Sequence, residues 1–391
     1  MNTLEKKLLD KLDNNFLAVV FLAVSALGFA LRFSLRGIVS VDANDWLLPW
    51  FEAIAEKGLS EQVGNYNLLY QFLIWVMTKL SLSPLLAYKS LSCIFDYFLA
   101  GISAMLVYRT ASKNKIWSAV WTYTAVILCP TVFLNSSAWA QCDAMFVSFA
   151  VLGLYFLEKE KYNFALVSLG LSFALKLQAV FILPAYLLVY FVRRKFSIIR
   201  FALVPVSMLA ASFPALLWGR NLFDVFKIYL EQTSTYNKMA MNYPSFWTFL
   251  CYTRYDAQYE QLKNMAIIFT VCVLAFIMLL WIRGKYITSG KNLIILAFVL
   301  AYACVLFLPA MHDRYGYIYE ICALILAVLV PKTIPLCIGL ILLSVNTYGV
   351  FLFEIPVNYS ILSLANLVLF FAYIFVLKPH LEKSECPVSN G

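Results

Sequence analysis

The chain has 391 residues, 63% of them hydrophobic and 13% charged, with a mean hydropathy of +0.80. Soluble domains carry about 25% charged residues, so the composition excludes an ordinary soluble enzyme and makes the bilayer the solvent for most of the chain. The 30 Lys and Arg outweigh 21 Asp and Glu to give +9, but they sit in short clusters between apolar runs, which is a topology signal and not a nucleic-acid footprint.

In chain order, Lys6, Lys7 and Lys11 place the N-terminus in the cytoplasm. The run from Phe16 to Phe33 carries no charge before Arg32, is too long and apolar for a signal peptide, and reads as a retained transmembrane helix. The loop 36–82 then lies outside. It contains VDANDWLLPW at 41–50, where Asp42 and Asp45 stand beside Trp46 and Trp50. Residues 49–58 predict a helix lying on the membrane, with Pro49 at its first turn, Trp50, Phe51 and Ile54 on one face, and Glu52, Glu56 and Lys57 in water.

Residues 66–82 decide the register. If they crossed, Arg109, Lys113 and Lys115 would fall outside; if they lie at the outer interface, these residues and the later basic clusters all fall inside. Gln71, Thr78 and Lys79 also weaken this segment as a span, so we read it as non-crossing. The expected spans are about 16–35, 84–108, 116–135, 143–157, 162–176, 178–192, 200–218, 264–283, 292–311, 315–331, 333–353 and 359–378. The fold expected is an all-α polytopic bundle of about twelve transmembrane helices, a single membrane domain over 1–391. Within it, 1–218 forms one module and 219–391 adds an outer loop, 219–263, and the C-terminal helices.

This register collects polar groups on the outer face: the 36–82 loop, NSSAWAQCD at 135–143, LKLQ at 175–178, and MHDRY at 311–315. Asp42, near low dielectric, suits a general base, which must reach the proton it takes; the alternative is a plain loop carboxylate. Asp45 could favour the following helix start or help hold an acceptor. Asp143 could be a helix-start acid, orient the acceptor, or share a divalent metal with Asp42, and Gln141 could bond a sugar. Lys176 could snorkel or meet a phosphate as a point charge, with Gln178 beside it. His312 and Arg314 suit phosphate recognition, with Tyr315 following. Asp96, Glu320 and Lys89 fall within expected spans, where ionisable groups are paired or functional. The nine cysteines fall mostly in apolar runs and show no metal-ligand spacing.

These residues in this order resemble the GT-C superfamily of polytopic glycosyltransferases, in particular the bacterial mannosyltransferases related to the GPI mannosyltransferase. Four pieces carry the similarity: Asp42 seven residues before Pro49-Trp50, Trp-x-Gln-Cys-Asp at 139–143, Lys-x-Gln at 176–178, and Met-His-acid-Arg-Tyr at 311–315. The last departs from the family pattern, which has Glu where this chain has Asp313. The resemblance implies sugar transfer from a polyprenyl-phosphate donor to a glycan or lipid acceptor at the outer face of a bacterial plasma membrane. Asp42 would be the base, and Lys176, Gln178, His312, Arg314 and Tyr315 would meet the donor phosphate. The alternatives are a flippase of a lipid-linked glycan and a non-enzymatic component of a polysaccharide assembly complex; a flippase often shows paired repeats, which this sequence lacks.

Overall fold

The computed structural model describes residue 5 and residues 15–232, 238–250 and 258–384. Lys6, Lys7 and Lys11, and parts of the expected 219–263 loop, lie outside the described residues. The described chain is an all-α membrane protein, whose strands are one two-residue parallel pair. Among the described residues five helices are long and apolar enough to cross a membrane, or six if one bent pair counts as a span.

The long helices are α1 (Phe16–Ser34), α4 (Pro84–Thr110), α13 (Tyr259–Arg283), α16 (Ile334–Phe353) and α17 (Tyr359–Leu377). Between α1 and α4 lie α2 (Leu48–Lys57) and α3 (Leu68–Met77). At ten residues, α3 rises about 15 Å, half the roughly 30 Å hydrocarbon core, so as a straight helix it cannot cross. α2 starts with Pro49 in its first turn and buries Phe51 and Ile54, with Glu52, Glu56 and Lys57 exposed.

The other expected spans are shorter helices or pieces. The 116–135 run is α5 (Lys115–Ile127) followed by α6 (Pro130–Phe133) and a π-type turn, Leu134–Ala138, with a bend of 47°. Pro130 lacks the N–H that would continue α5. α7 (Asp143–Glu158) and α8 (Tyr162–Leu175) are 16 and 14 residues long. The 178–192 run splits into a 3-10 turn, Leu177–Ile182, and α9 (Leu183–Arg193), which has Pro184 in its first turn. The 200–218 run splits around α10 (Leu203–Ala211). In place of a plain 219–263 loop come α11 (Asp224–Gln232), the strand Ala240–Met241, α12 (Phe246–Leu250) and the start of α13. Hydropathy marked every run, but proline and polar breaks decide how far each one continues as a helix.

α14 (Lys291–Phe307) is apolar all round and is buried without interruption from Asn292 to Phe307, as expected of a helix at the centre of a bundle. α15 (Tyr317–Leu329) packs beside it and is buried from Tyr317 to Leu326. α1 and α13 are opposite in kind: their most apolar windows are only 11% and 17% buried, which leaves apolar faces for lipid.

The ionisable groups inside the bundle have partners. Arg32 Nε donates to Asp96 Oδ2 at 2.8 Å, Ser136 Oγ to the same oxygen at 2.6 Å, and Arg32 Nη1 to the carbonyls of Gly28 and Ile127 at 3.0 Å each. Ser344 Oγ donates to Glu320 at 2.6 Å. Lys89 is 2% exposed and its Nζ donates to three carbonyls, those of Leu35, Arg36 and Ile38, at 3.1, 3.2 and 2.6 Å. It thus caps the chain leaving α1 with the positive charge that a helix C-terminus favours.

Candidate functional site

A cavity of about 1100 Å³ lies where four segments carrying the expected site residues meet, closed further by residues 64–66, Gln232, Asn242, Phe351 and the α13 residues Tyr259, Lys263 and Ile267. The segments are the turn before α2, the stretch between α6 and α7, the break between α8 and α9, and the link from α14 to α15. Each segment departs from regular helix. Ala43–Leu47 and Leu134–Ala138 are π-type turns, a form frequent at functional sites. Lys176 is extended between α8 and the next turn. Ala140 and Ala310 hold φ of +62° and +57°, left-handed values that cost a residue with a Cβ about 1–2 kcal/mol. Such strain collects where function needs a particular geometry. The strand Met311–His312 is held in register by Ala240–Met241, and Ala310 N–H donates to the Met239 carbonyl at 3.0 Å.

Asp42 lines the cavity with its side chain 24% exposed. Its Oδ2 accepts from Trp139 Nε1 at 2.8 Å and Gln141 Nε2 at 3.0 Å, and Arg314 Nη1 lies 3.6 Å away. All these contacts fall on Oδ2; among the described residues none falls on Oδ1. Tyr66 O–H donates to Gln141 Oε1 at 3.0 Å, which fixes the amide so that its N–H₂ faces Asp42. Burial raises the Tyr66 phenol well above its usual range and keeps it a neutral donor.

Arg314 holds the site together. Its Nε is 3.4 Å from Asp143 Oδ2, its Nη1 is 3.9 Å from Asp313 Oδ1, and its guanidinium lies 5.2 Å from the Trp139 ring centre. Burial works against its charge, but Asp143, Tyr66, Asp313 and Asp42 outweigh that and hold it more firmly protonated than an ordinary arginine. Asp143 lies behind the cavity wall, 1% exposed. It pairs with Lys176 Nζ through Oδ1 and accepts from Asn135 Nδ2 through Oδ2 at 2.8 Å. Lys176 lines the cavity.

His312 and Asp313 sit in the link before α15, outside the helices, and both line the cavity. Burial, with repulsion from Arg314 and Lys176, pulls the imidazole down to about 3, so His312 is neutral at any working pH. Burial pushes the Asp313 carboxyl up to about 7, against the pull of Arg314.

The structure therefore brings Asp42, Gln141, Lys176, Gln178, His312, Arg314 and Tyr315 to one cavity, with Asp143 directly behind it. It does not bring in Asp45, which is exposed and accepts from its neighbour Asn44 at 2.9 Å. Asp42 and Asp143 do not make a metal cradle either. Among the described residues no three His, Cys, Asp or Glu side chains gather to hold an ion, and the guanidinium of Arg314 already bridges the two carboxylates. Three residues carry site geometry that the sequence reading gave no role: Trp139, Asn135 and Tyr66. Trp139 is fully buried, stacked on Phe351 at 4.3 Å, and aims its only donor at Asp42. Asn135 and Trp139 were marked only by their place before Asp143 in an otherwise apolar region and, for Trp139, by the Trp-x-Gln-Cys-Asp pattern.

Protein-family models give no match to the chain, and curated proteins give none.

Proposed function

We propose that the chain is a polytopic glycosyltransferase of the GT-C kind. It would move a sugar from a polyprenyl-phosphate donor to an acceptor hydroxyl at the extracytoplasmic face, with inversion. The observation that supports this most is that one cavity holds a carboxylate with an oxygen, Asp42 Oδ1, that takes no hydrogen bond from the described residues, next to two cations, the buried Lys176 and the half-buried Arg314.

In this reading the acceptor O–H meets Asp42 Oδ1. The acceptor oxygen bonds to the anomeric carbon, the bond from that carbon to phosphate oxygen breaks, the phosphate takes the electron pair, and Asp42 takes the proton. Charge is balanced throughout. Asp42 and Asp143 offset Lys176 and Arg314 before reaction. When Asp42 gains a proton, its pull on Arg314 is lost just as the leaving phosphate gains a negative charge, so Arg314 is released toward the group that needs it. Donors fixed in place before reaction stabilise such charge without reorganisation. His312, kept neutral, adds an N–H donor without disturbing that balance.

The test uses purified protein with a polyprenyl-phosphate sugar. The wild type should release lipid phosphate only when an acceptor is present. Asp42→Asn, which keeps the contacts from Trp139 and Gln141 within reach of a side chain of the same shape, should lower release by about a hundredfold or more while the protein stays folded. Undiminished release by that variant would remove Asp42 from the mechanism. A flippase or an assembly scaffold would release no lipid phosphate at all.

A further inference from the structure

The cavity is larger than the roughly 300–1,000 Å³ that one small ligand occupies, at about 1100 Å³, and its polar chemistry is uneven. The cations Lys176 and Arg314 hold one part. Another part is an aromatic wall of Trp46, Trp50 and Tyr66, edged by the amides of Asn65 and Gln232. Trp46 and Trp50 are 6.0 Å apart, and Tyr66 meets Trp50 edge-on at 5.8 Å.

This wall differs from an interfacial belt, whose rings face headgroups. Both tryptophans line the cavity, and Trp50 is seated by a turn built around it. Gly64 has φ of +68°, and a Cβ there would meet the Trp50 indole at 2.6 Å, so only glycine lets the ring lie flat against the backbone. Gln62 Nε2 pins that turn by donating to the carbonyls of Gly64 and Tyr66 at 2.9 and 2.8 Å, and Arg220 Nη2 donates to Gln62 Oε1 at 3.2 Å. Gln232 Nε2 donates to the Asn65 carbonyl from the other side. Tyr66 then continues through Gln141 to the carboxylate of Asp42. Tyr66 of the wall, against which Trp50 packs, is thus hydrogen-bonded through Gln141 to the base.

We infer that the Trp46–Trp50–Tyr66 wall is the acceptor subsite and that the acceptor is a saccharide ring, which lays its C–H face on the indoles and turns a hydroxyl to Asp42. A sugar ring has one face of C–H groups and an edge of hydroxyls. It therefore matches an aromatic surface rimmed by amides beside a carboxylate, whereas an acyclic polyol phosphate has no apolar face to offer the indoles. This assignment rests on the transferase reading for the identity of Asp42 as base, but its test needs no turnover.

The experiment is saturation-transfer NMR on the full chain in phosphatidylethanolamine–phosphatidylglycerol nanodiscs, without donor. The probes are the methyl glycosides of mannose, glucose, galactose and N-acetylglucosamine, with glycerol 1-phosphate as the acyclic comparison. At least one glycoside should receive saturation, strongest at its C–H face. That signal should fall at least fivefold in Trp46→Ala, persist in part in Trp46→Phe, and be unchanged in Trp121→Ala, which alters an exposed tryptophan remote from the cavity. No signal from any glycoside, an unchanged signal in Trp46→Ala, or an equal signal from glycerol 1-phosphate would overturn the inference. Loss of transfer in Asp42→Asn alongside any of these results would leave the transferase reading intact without the saccharide wall.

Discussion

Arg314 lies within ion-pair reach of three carboxylates, Asp42, Asp143 and Asp313, and the three do not share it equally. Asp313 is the one that burial keeps protonated up to about pH 7. Because its folded value lies above the ordinary 3.8, the folded state binds an extra proton between about pH 4 and 7. Its contribution to stability is therefore present at low pH and lost as pH rises through about 7. Asp313→Asn fixes the neutral form. Thermal unfolding in detergent should show the wild type losing stability relative to this variant between about pH 4 and 7; parallel curves would mean that Asp313 is already ionised. His312 acts in the opposite sense. Its depressed value favours the neutral folded form, so its contribution is lost on acidification below about pH 6.5. At this scale the sequence was informative where charge stands out against apolar surroundings, as at Asp42, Lys176 and Arg314. It was uninformative for Trp139, Asn135 and Tyr66, whose roles depend on where one N–H or O–H points after folding. Asp45, three residues beyond Asp42, lies exposed on the π-type turn and outside the cavity lining, a difference in direction that sequence spacing does not give.

Among the elements, the turn that carries Asp42 depends on α4. Lys89 satisfies three carbonyls at the exit from α1. A few residues on, Ser40 Oγ donates to the Trp139 carbonyl at 3.1 Å and accepts from Ala43 N–H at 3.2 Å. Lys89→Met keeps the length of the side chain and removes all three donors, at about 1–3 kcal/mol for each buried group left unsatisfied. Steady-state assays of the proposed transfer should then show kcat at least tenfold lower with donor KM little changed, and Lys89→Arg should recover part of it. Wild-type turnover in Lys89→Met would mean that the Asp42 turn holds itself. The sequence showed Lys89 to be anomalous within a span but not its partners, since backbone carbonyls carry no sequence signature. Element lengths were also only partly legible. Apolar content marked α7, α8, α9 and α14, but the extended Lys176 that ends α8 is set by packing, whereas α14 stops at the extended Leu308, which Pro309 after it favours.

Over the whole molecule, the basic loops meet at the end away from the cavity. Arg193 donates to the Leu157 carbonyl at 2.6 Å and to Thr288 Oγ1 at 3.1 Å. Glu158 accepts from Gly290 N–H at 2.8 Å, Lys195 pairs with Glu160 at 2.7 Å, and Lys291 pairs with Glu382 at 2.7 Å. Arg109 lies within electrostatic reach of Glu158. α7 runs from Asp143 at the cavity to Glu158 in this cluster, and α14 runs back from Lys291 to the cavity. Positive charge gathered at one end favours a cytoplasmic position for it, which would put the cavity outside. A cysteine replacing exposed Lys113 should react with an impermeant maleimide only in inverted vesicles; labelling of intact cells would reverse the proposed orientation. The gathering of basic loops away from the polar cavity was legible from the clusters alone, because it depends on loop composition and not on how the helices pack.

The helices that end beneath the cavity are short. α7, α8 and α14 have 16, 14 and 17 residues, rises of about 24, 21 and 26 Å, against roughly 30 Å of hydrocarbon. With the basic end at one edge of the hydrocarbon, as the proposed orientation has it, the floor that carries Asp143 and Lys176 would lie recessed below the other edge. On the proposed function, a glycosyl ester held in such a recess, open to water only through the cavity mouth, would meet few competing nucleophiles, so the truncation of these helices would itself guard the activated sugar against wasteful hydrolysis.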